Sequence, residues 1–336
     1  MLSSFKKSKW MRSSPAKVAL QLNYYLKNGS LAYAPPAVLR PGTRKLLENM
    51  CEPGIPQSIL ERVNYYNKLG GAVPTGSLRT DKLPFDKSRY RLDLLQHLRA
   101  FGLEKLIEPL FGDVTHIPTT PSFVKSRPIC EGNQNSIILK LDKFRHFIRY
   151  SDSMKFDDKK PSAIWRGGAT NTKRDQLCFA HQDHSEHDIG MVGNTPCGIR
   201  AKQPISPQGQ LTHKYIISVE GNDVATNLKW IMSSNSVCIS PEMKYESWFM
   251  EGKLQPGIHY AQVRDDFSDL DDVVQGLIAN PEYAKQIIQN AQTHAMQFWD
   301  YKREDIISIL VIAKYLWLSG QLPDRHFVKI PFSNEI

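Results

Sequence analysis

The chain has no cysteine pair spaced as CxxC, no apolar run as long as a membrane helix, and neither of the phosphate loops GxGxxG and GxxxxGKS. Each absence excludes something. The five cysteines, Cys51, Cys130, Cys178, Cys197 and Cys238, are an odd number at irregular spacing, which argues against a disulfide framework and for a reducing compartment. A spanning helix needs about 20 consecutive apolar residues, and no such run occurs. The basic N-terminal stretch is interrupted at Asn23, Lys27 and Asn28, where a signal peptide needs unbroken apolar sequence. The expectation is a cytoplasmic protein, peripheral on an inner membrane at most. Without the two glycine loops, a dinucleotide enzyme and a P-loop NTPase are disfavoured. No GxSxG and no Ser/His/Asp order points to a hydrolase.

What is present is globular: 336 residues, 41% hydrophobic and 23% charged, enough for two ordinary domains. The net charge of +9 admits an acidic partner, whether nucleic acid, a membrane surface or a phosphorylated substrate. Lys6, Lys7, Lys9, Arg12, Lys17, Lys27, Arg40, Arg44 and Lys45 crowd the first fifty residues. This region suits an anionic leaflet and equally suits a solvated surface. No recognisable nucleic-acid module appears, and the aromatics follow core periodicity, so a nucleic-acid partner is not expected.

Apolar spacing predicts helices over residues 15–27, 57–68 and 89–110, with loops at Ala34-Pro35-Pro36, at Pro41-Gly42 and over 70–86. Short extended pieces follow at 114–117, 122–124 and 137–141, then a short helix within 140–149. The polar stretch 151–160 reads as a linker. Beyond it strands (163–166, 189–192, 214–219, 236–239, 259–263) alternate with helices (172–181, 225–233), the pattern of a parallel sheet in a doubly wound α/β domain. The end is helical: 267–279 with Ser268 as a cap, a helix opened by Asn280-Pro281, and an apolar helix over 302–318.

The most informative run is Ala163-Ile164-Trp165-Arg166-Gly167-Gly168-Ala169-Thr170-Asn171 before a helical segment. An apolar strand end passes into an arginine, two glycines and helix-starting polar residues. Glycine lets a ligand approach the backbone, the helix start offers N–H groups and a positive dipole end, and arginine adds a fork for phosphate oxygens. Gly221-Asn222-Asp223-Val224-Ala225-Thr226-Asn227 repeats that logic after a second strand. Two such corners of one parallel sheet face one crevice outside its carboxyl edge, where a nucleotide diphosphate can lie. Asp113 beside His116 reads as a base at a strand end or as a turn aspartate bonding its own backbone. Lys125 and Arg127 read as anion contacts or as a solvated loop. The cluster Cys178, His181, Asp183, His184, Glu186, His187 and Asp188 carries metal-ligand residue types but no finger or HExxH spacing, and is read as a polar helix end without metal.

The residues Trp165-Arg166-Gly167-Gly168 with Lys173-Arg174-Asp175 resemble the aromatic-Arg-Gly-Ser…Arg-Asp motif of glycosyltransferase family 90. Lys214-Tyr215 through Gly221 to Lys229, then Ser236-Val237, Pro256-Gly257-Ile258-His259-Tyr260 and residues 269–274, are similar to its second signature. The likeness is clear over residues 161–299. Arg62-Val63-Asn64-Tyr65-Tyr66-Asn67 and Lys125-Ser126-Arg127-Pro128 resemble the bacterial lipopolysaccharide branch.

The resemblance implies a GT-B architecture of two Rossmann-like domains facing a cleft. Residues 1–155 would form the acceptor side, 156–300 the UDP-sugar domain, and 301–336 a helix and tail returning to the first domain. It implies inverting transfer of one sugar (glucose, galactose or xylose) from a UDP-sugar to a lipopolysaccharide core or related glycan, with no metal or other cofactor. Asp113 is the implied base. Arg166, Gly167, Gly168 and Lys173 would meet the diphosphate, and Gly221, Asn222, Asp223, Ala225, Thr226 and Asn227 would hold uridine or phosphate. Animal members carry an arginine where this chain has Asn227, so a second phosphate cation would come from Lys229, Lys125 or Arg127, or be absent. His116, Lys125 and Arg127 are also expected acceptor or phosphate contacts. A catalytically inactive sugar- or nucleic-acid-binding protein is the alternative.

Overall fold

In the N-terminal half of the computed structural model, helices α1 (Pro15–Tyr33), α2 (Pro36–Cys51), α3 (Gln57–Tyr66) and α4 (Ser88–Leu98) accompany short strands. These strands are β1 (Leu78–Arg79), β2 (Leu106–Ile107), β3 (Pro109–Leu110), β4 (Ser122–Val124), β5 (Ser126–Pro128) and β6 (Ser136–Ile138). A single helical turn, α5 (Lys143–His146), closes the half. The structure describes residues 15–51, 54–85 and 87–322, so Lys6, Lys7, Lys9, Arg12 and residues 323–336 of the expected tail lie outside the described residues. Strands β3, β4 and β6 form a small parallel sheet, and β1 pairs with β2 antiparallel.

From Lys160 onward, strand and helix alternate through β7 (Lys160–Gly167), α6 (Thr172–His181), β8 (Asp188–Met191), α7 (Pro207–Gln210), β9 (His213–Ile217), α8 (Leu228–Ile231) and β10 (Val237–Ser240). Then come β11 (Tyr245–Ser247), β12 (Ala261–Gln262) and the helices α9 (Leu270–Ala279), α10 (Pro281–Met296) and α11 (Tyr301–Leu318). Strands β12, β10, β9, β7 and β8 lie in that order, all parallel. Such a sheet is covered on both faces, which explains its continuous apolar runs. Trp165, Ile189, Tyr215 and Ile239 pack on one side with Leu177 of α6 and Leu270 and Val274 of α9. Ile164, Ile216 and Cys238 pack on the other with Ile231 and Ala291. The chain goes from β7 outward to β8, then returns across β7 to β9 and onward. The order therefore reverses between β7 and β9, the position where doubly wound sheets open a ligand crevice.

The last helix, α11, is buried nearly all round and packs on α3 and α4. Its Glu304 meets Arg62 at 2.5 Å and Lys140 at 2.9 Å, and Trp248 donates to it as well. These charges are buried, so each needs the others.

Ala34 and Pro35 are the expected break after α1, but Pro36 opens α2, where its missing N–H has no partner to lose, and the expected loop at Pro41-Gly42 lies inside that helix. The expected helix over 89–110 stops at Leu98, because Gly102 turns the chain with φ of 122° and short strands follow. Residues 114–117 are irregular rather than extended. Asp269, not Ser268, occupies the N-cap position of α9, while Asn280 caps α10 as its sequence suggests. The ribbon β5–β11 joins segments too far apart in sequence for any local pattern to announce it.

Candidate functional site

Strands β7 and β9 end side by side, and both carboxyl ends are held by two side chains from one helix start. Asn171 caps α6, its Oδ1 accepting from the Arg174 N–H at 3.2 Å, while its Nδ2 donates to the Glu220 and Gly221 carbonyls at 3.0 and 2.6 Å. The Arg174 guanidinium donates to Gly168 at 3.0 Å, Val219 at 2.9 Å and Glu220 at 3.1 Å. Burial pulls it down to about 10, so it remains a cation at neutral pH. One arginine thus stitches the two corners together. Gly221 fits closely against that stitch: a Cβ there would sit 3.3 Å from Arg174 Nη2 and 3.4 Å from Thr170 Oγ1, so the fork would have to give by a few tenths of an ångström. Gly167 is required by Trp165, whose ring would lie 2.4 Å from a Cβ.

Outside the corners is a cavity of about 610 Å³ lined by Asn171, Thr172 and Lys173, by Glu220, Gly221 and Asn222, and by Asp113. Asp113 comes from the N-terminal half and is tied to the second corner. Its Oδ2 accepts from Asn222 Nδ2 at 2.9 Å, and its Oδ1 from Lys125 Nζ at 2.8 Å. Lys125 also meets Asp223 at 2.6 Å, and Asp223 in turn accepts from Ser126. Burial alone would raise the Asp113 carboxyl. The bonds from Lys125 and Asn222, with the charges of Lys125 and Arg145, outweigh it and hold Asp113 below the usual carboxylate range. It is therefore ionised at neutral pH. Glu220 is the opposite case: burial pushes its carboxyl up to about 7 despite N–H bonds from Lys244 and Tyr245, each at 3.0 Å.

The other expected residues divide. Lys173 lines the cavity and pairs with Asp265 at 2.8 Å. Arg166 lies on the strand before the corner but spends its guanidinium on Asp188, at 2.6 Å, and on the carbonyls of Trp165, Asp188 and Gln203. Lys125, Arg127 and Lys229 are all buried and neutralised, the last two by Glu246 at 2.7 Å and Glu251 at 2.6 Å. Arg127 also donates to the carbonyls of Tyr65, Tyr66 and Ser136, which ties the β5–β11 ribbon to α3. Asn227 bonds the Ile217 carbonyl and Ser218 at the end of β9. Ala225 is buried and Thr226 half-buried beneath the second corner, and His116 is exposed. Gly168 contributes its carbonyl to Arg174.

His184 and His187 stack at 4.4 Å, and their Nε2 atoms each lie 3.3 Å from Asp271, the one group among the described residues with metal-ligand proximity. Both Nδ1 atoms face backbone N–H donors, of Glu186 and Ala163. That assigns the ring protons to Nε2, the atoms turned to Asp271, and leaves no imidazole lone pair converging there.

Arg174, Asn171 and Glu220 are functional neighbours that sequence reasoning passed over. Arg174 stood inside the Lys-Arg-Asp run, and Asn171 had the N-cap signature; only their reach to β9 was hidden.

Residues 132–310 match the model of glycosyl transferase family 90. The chain is 41% identical over 304 residues to an O-glucosyltransferase LpsA of Dichelobacter nodosus, covering 89% of this chain and 96% of that protein. It is 35% identical over 88 residues to protein O-glucosyltransferase 2 of Danio rerio, covering 25% of this chain and 17% of that one. An uncharacterised protein 179R of Invertebrate iridescent virus 6 is 34% identical over 207 residues, covering 48% and 17%.

Proposed function

From the premise that this chain belongs to glycosyl transferase family 90, we propose that it is an inverting O-glucosyltransferase using a UDP-sugar and a glycan acceptor of lipopolysaccharide type. Glucose is favoured as the sugar by the names of the relatives. The observation that carries the reading is Asp113, an ionised carboxylate from the N-terminal half bonded to Asn222 on the carboxyl edge of the parallel sheet. In this reading the architecture is GT-B, with the cleft running between Asp113 and the β7 and β9 corners.

The acceptor oxygen attacks the anomeric carbon as the bond from that carbon to the diphosphate oxygen breaks. Its proton passes to Asp113, and inversion follows because nucleophile and leaving group lie on opposite sides of the carbon. Lys125 and Asn222 keep the base ionised until the acceptor hydroxyl replaces one of them. The departing UDP gains charge, which the first turn of α6, Lys173 and the backbone N–H of Asn222 receive. Gly167, Gly168, Asp223, Ala225, Thr226 and Asn227 shape the corners from within, and Arg166 anchors the first by holding β8. The reading needs no metal. Calorimetry with UDP, and sugar transfer from UDP-glucose to a de-O-acylated lipopolysaccharide core, test it. Failure to bind UDP would overturn it.

A further inference from the structure

Glu220 has no part in the chemistry above, yet its carboxyl group stands where an anion is to lie. It lines the cavity outside the sheet corners, between Lys173 of α6 and Asn222 of the second corner. Its backbone is fixed there, because Asn171 and Arg174 both donate to its carbonyl, at 3.0 and 3.1 Å. Oε1 accepts the N–H groups of Lys244 and Tyr245, each at 3.0 Å. Oε2 has no partner among the described residues and is not sealed in the interior, so it is open to the cavity.

The carboxyl also lacks a counter-ion, since every cation near it is taken. Lys173 pairs with Asp265 at 2.8 Å, Lys244 pairs with Glu242, and the Arg174 guanidinium serves three carbonyls. Glu251 adds a like charge, Tyr260 is a neutral phenol, and Asp113 stands ionised across the same cavity. Burial therefore prevails over Lys173 and the two N–H groups, and raises the carboxyl to about 7. Two carboxyls border one cavity in opposite environments, one held ionised and the other able to keep a proton at neutral pH. A diphosphate beside an ionised Glu220 would meet like charge in a half-buried site, whereas a protonated Glu220 offers it a donor.

We propose that Glu220 is a diphosphate-binding residue that works protonated: UDP binds together with one proton, which Oε2 carries and donates as a hydrogen bond to a phosphate oxygen. Such a bond, from O–H to an anionic oxygen, is among the strong ones. The charge of the diphosphate in turn disfavours the carboxylate and keeps the proton in place. The proton returns to solvent when UDP leaves, so Glu220 positions the diphosphate and takes no part in the transfer itself. The inference rests on the transferase reading and adds to it a proton-coupled donor binding.

The test is calorimetry of UDP binding at pH 8 in buffers of low and high ionisation enthalpy, which counts the protons taken up. At that pH a phosphate's own second ionisation, near about 6, is complete. With Glu220 at about 7 in the free protein, about 0.9 proton should be taken up per UDP. Since binding consumes a proton, the parent's UDP affinity should fall about fivefold between pH 7 and pH 8. Glu220→Gln keeps an acceptor for Lys244 and Tyr245 and sets a permanent donor beside it. It should take up no proton, show a flat affinity over that interval, and bind UDP about tenfold more tightly than the parent at pH 8. A carboxylate that merely holds the corner in shape would give the reverse, weaker binding in the variant at each pH. Proton uptake is read on the parent alone, so the test stands even if the variant fails to fold. Uptake near zero in the parent, uptake that persists in Glu220→Gln, or weaker binding by the folded variant at pH 8 would overturn the proposal. A parent that fails to bind UDP at pH 6 and pH 8 alike would instead overturn the transferase reading.

Discussion

Replacing Asp113 by Asn changes one atom at the proposed reacting centre. General-base assistance contributes about a hundred- to ten-thousandfold to rate, so transfer should fall by that range, about 3–5 kcal/mol in barrier. The structure lets the remaining consequences be worked out. An Asn at 113 still offers one oxygen to Lys125 or Asn222, and Lys125 keeps Asp223 at 2.6 Å as its counter-ion. The Asp113 side chain is 26% exposed, so the variant should lose about 1 kcal/mol of stability or less. Nothing in the α6 turn or the Arg174 stitch touches position 113, and UDP affinity should remain within about twofold, a change of less than 1 kcal/mol. The assay pairs initial transfer rates from UDP-glucose with calorimetric UDP titration of the same protein. Transfer within about tenfold of the parent would remove Asp113 as the base, because that is less than such a group contributes. A parallel fall in UDP affinity would show that it serves the donor instead. Since hydrogen bonds and charges hold this carboxyl low, the acid limb of kcat/KM should fall below the ordinary aspartate range.

Arg174→Lys keeps the charge but not the fork that reaches three carbonyls, and should cost about 3 kcal/mol together with a clear loss of UDP affinity; a variant matching the parent in both denaturation and calorimetry would show that the corners stand without it. His294 donates its Nε2–H to the Phe249 carbonyl at 2.9 Å, and burial pulls it down to about 4. Its stabilising contribution is whole above the ordinary histidine value and is lost as pH falls from there toward 4. Denaturant titrations should therefore show about 2 kcal/mol less stability from this group at pH 5 than at pH 7, and His294→Gln should remove that increment. An unchanged pH dependence in the variant would refute the assignment. Transfer should survive EDTA, because the proposed leaving-group stabilisation comes from N–H groups and Lys173; activity lost to EDTA and restored by manganese would require a different account.

Several parts of this protein could be read without coordinates because their causes are local. The corners at Gly167-Gly168 and Gly221 declare themselves through strand, glycine and helix start in one short run. The cap at Asn280 and the apolar face of α11 are similarly written in neighbouring residues. Burial of the parallel strands on both faces makes them continuous apolar runs, so the alternation beyond residue 160 was visible too.

Which cation faces a ligand was not visible, because charge is cancelled by partners far along the chain. Lys125, Arg127 and Lys229 look like free phosphate ligands in sequence, yet Asp223, Glu246 and Glu251 enclose them. Arg174, part of the Lys-Arg-Asp run but given no role of its own from sequence, binds the two corners together. Residue order alone determined where the two corners of the parallel sheet turn and which of its runs are apolar, since both depend on the covalent neighbours of each position. Only tertiary packing decided which side chains lose their charge to a partner and which, like Asp113, are left facing a cavity, because desolvation and ion pairing act through space.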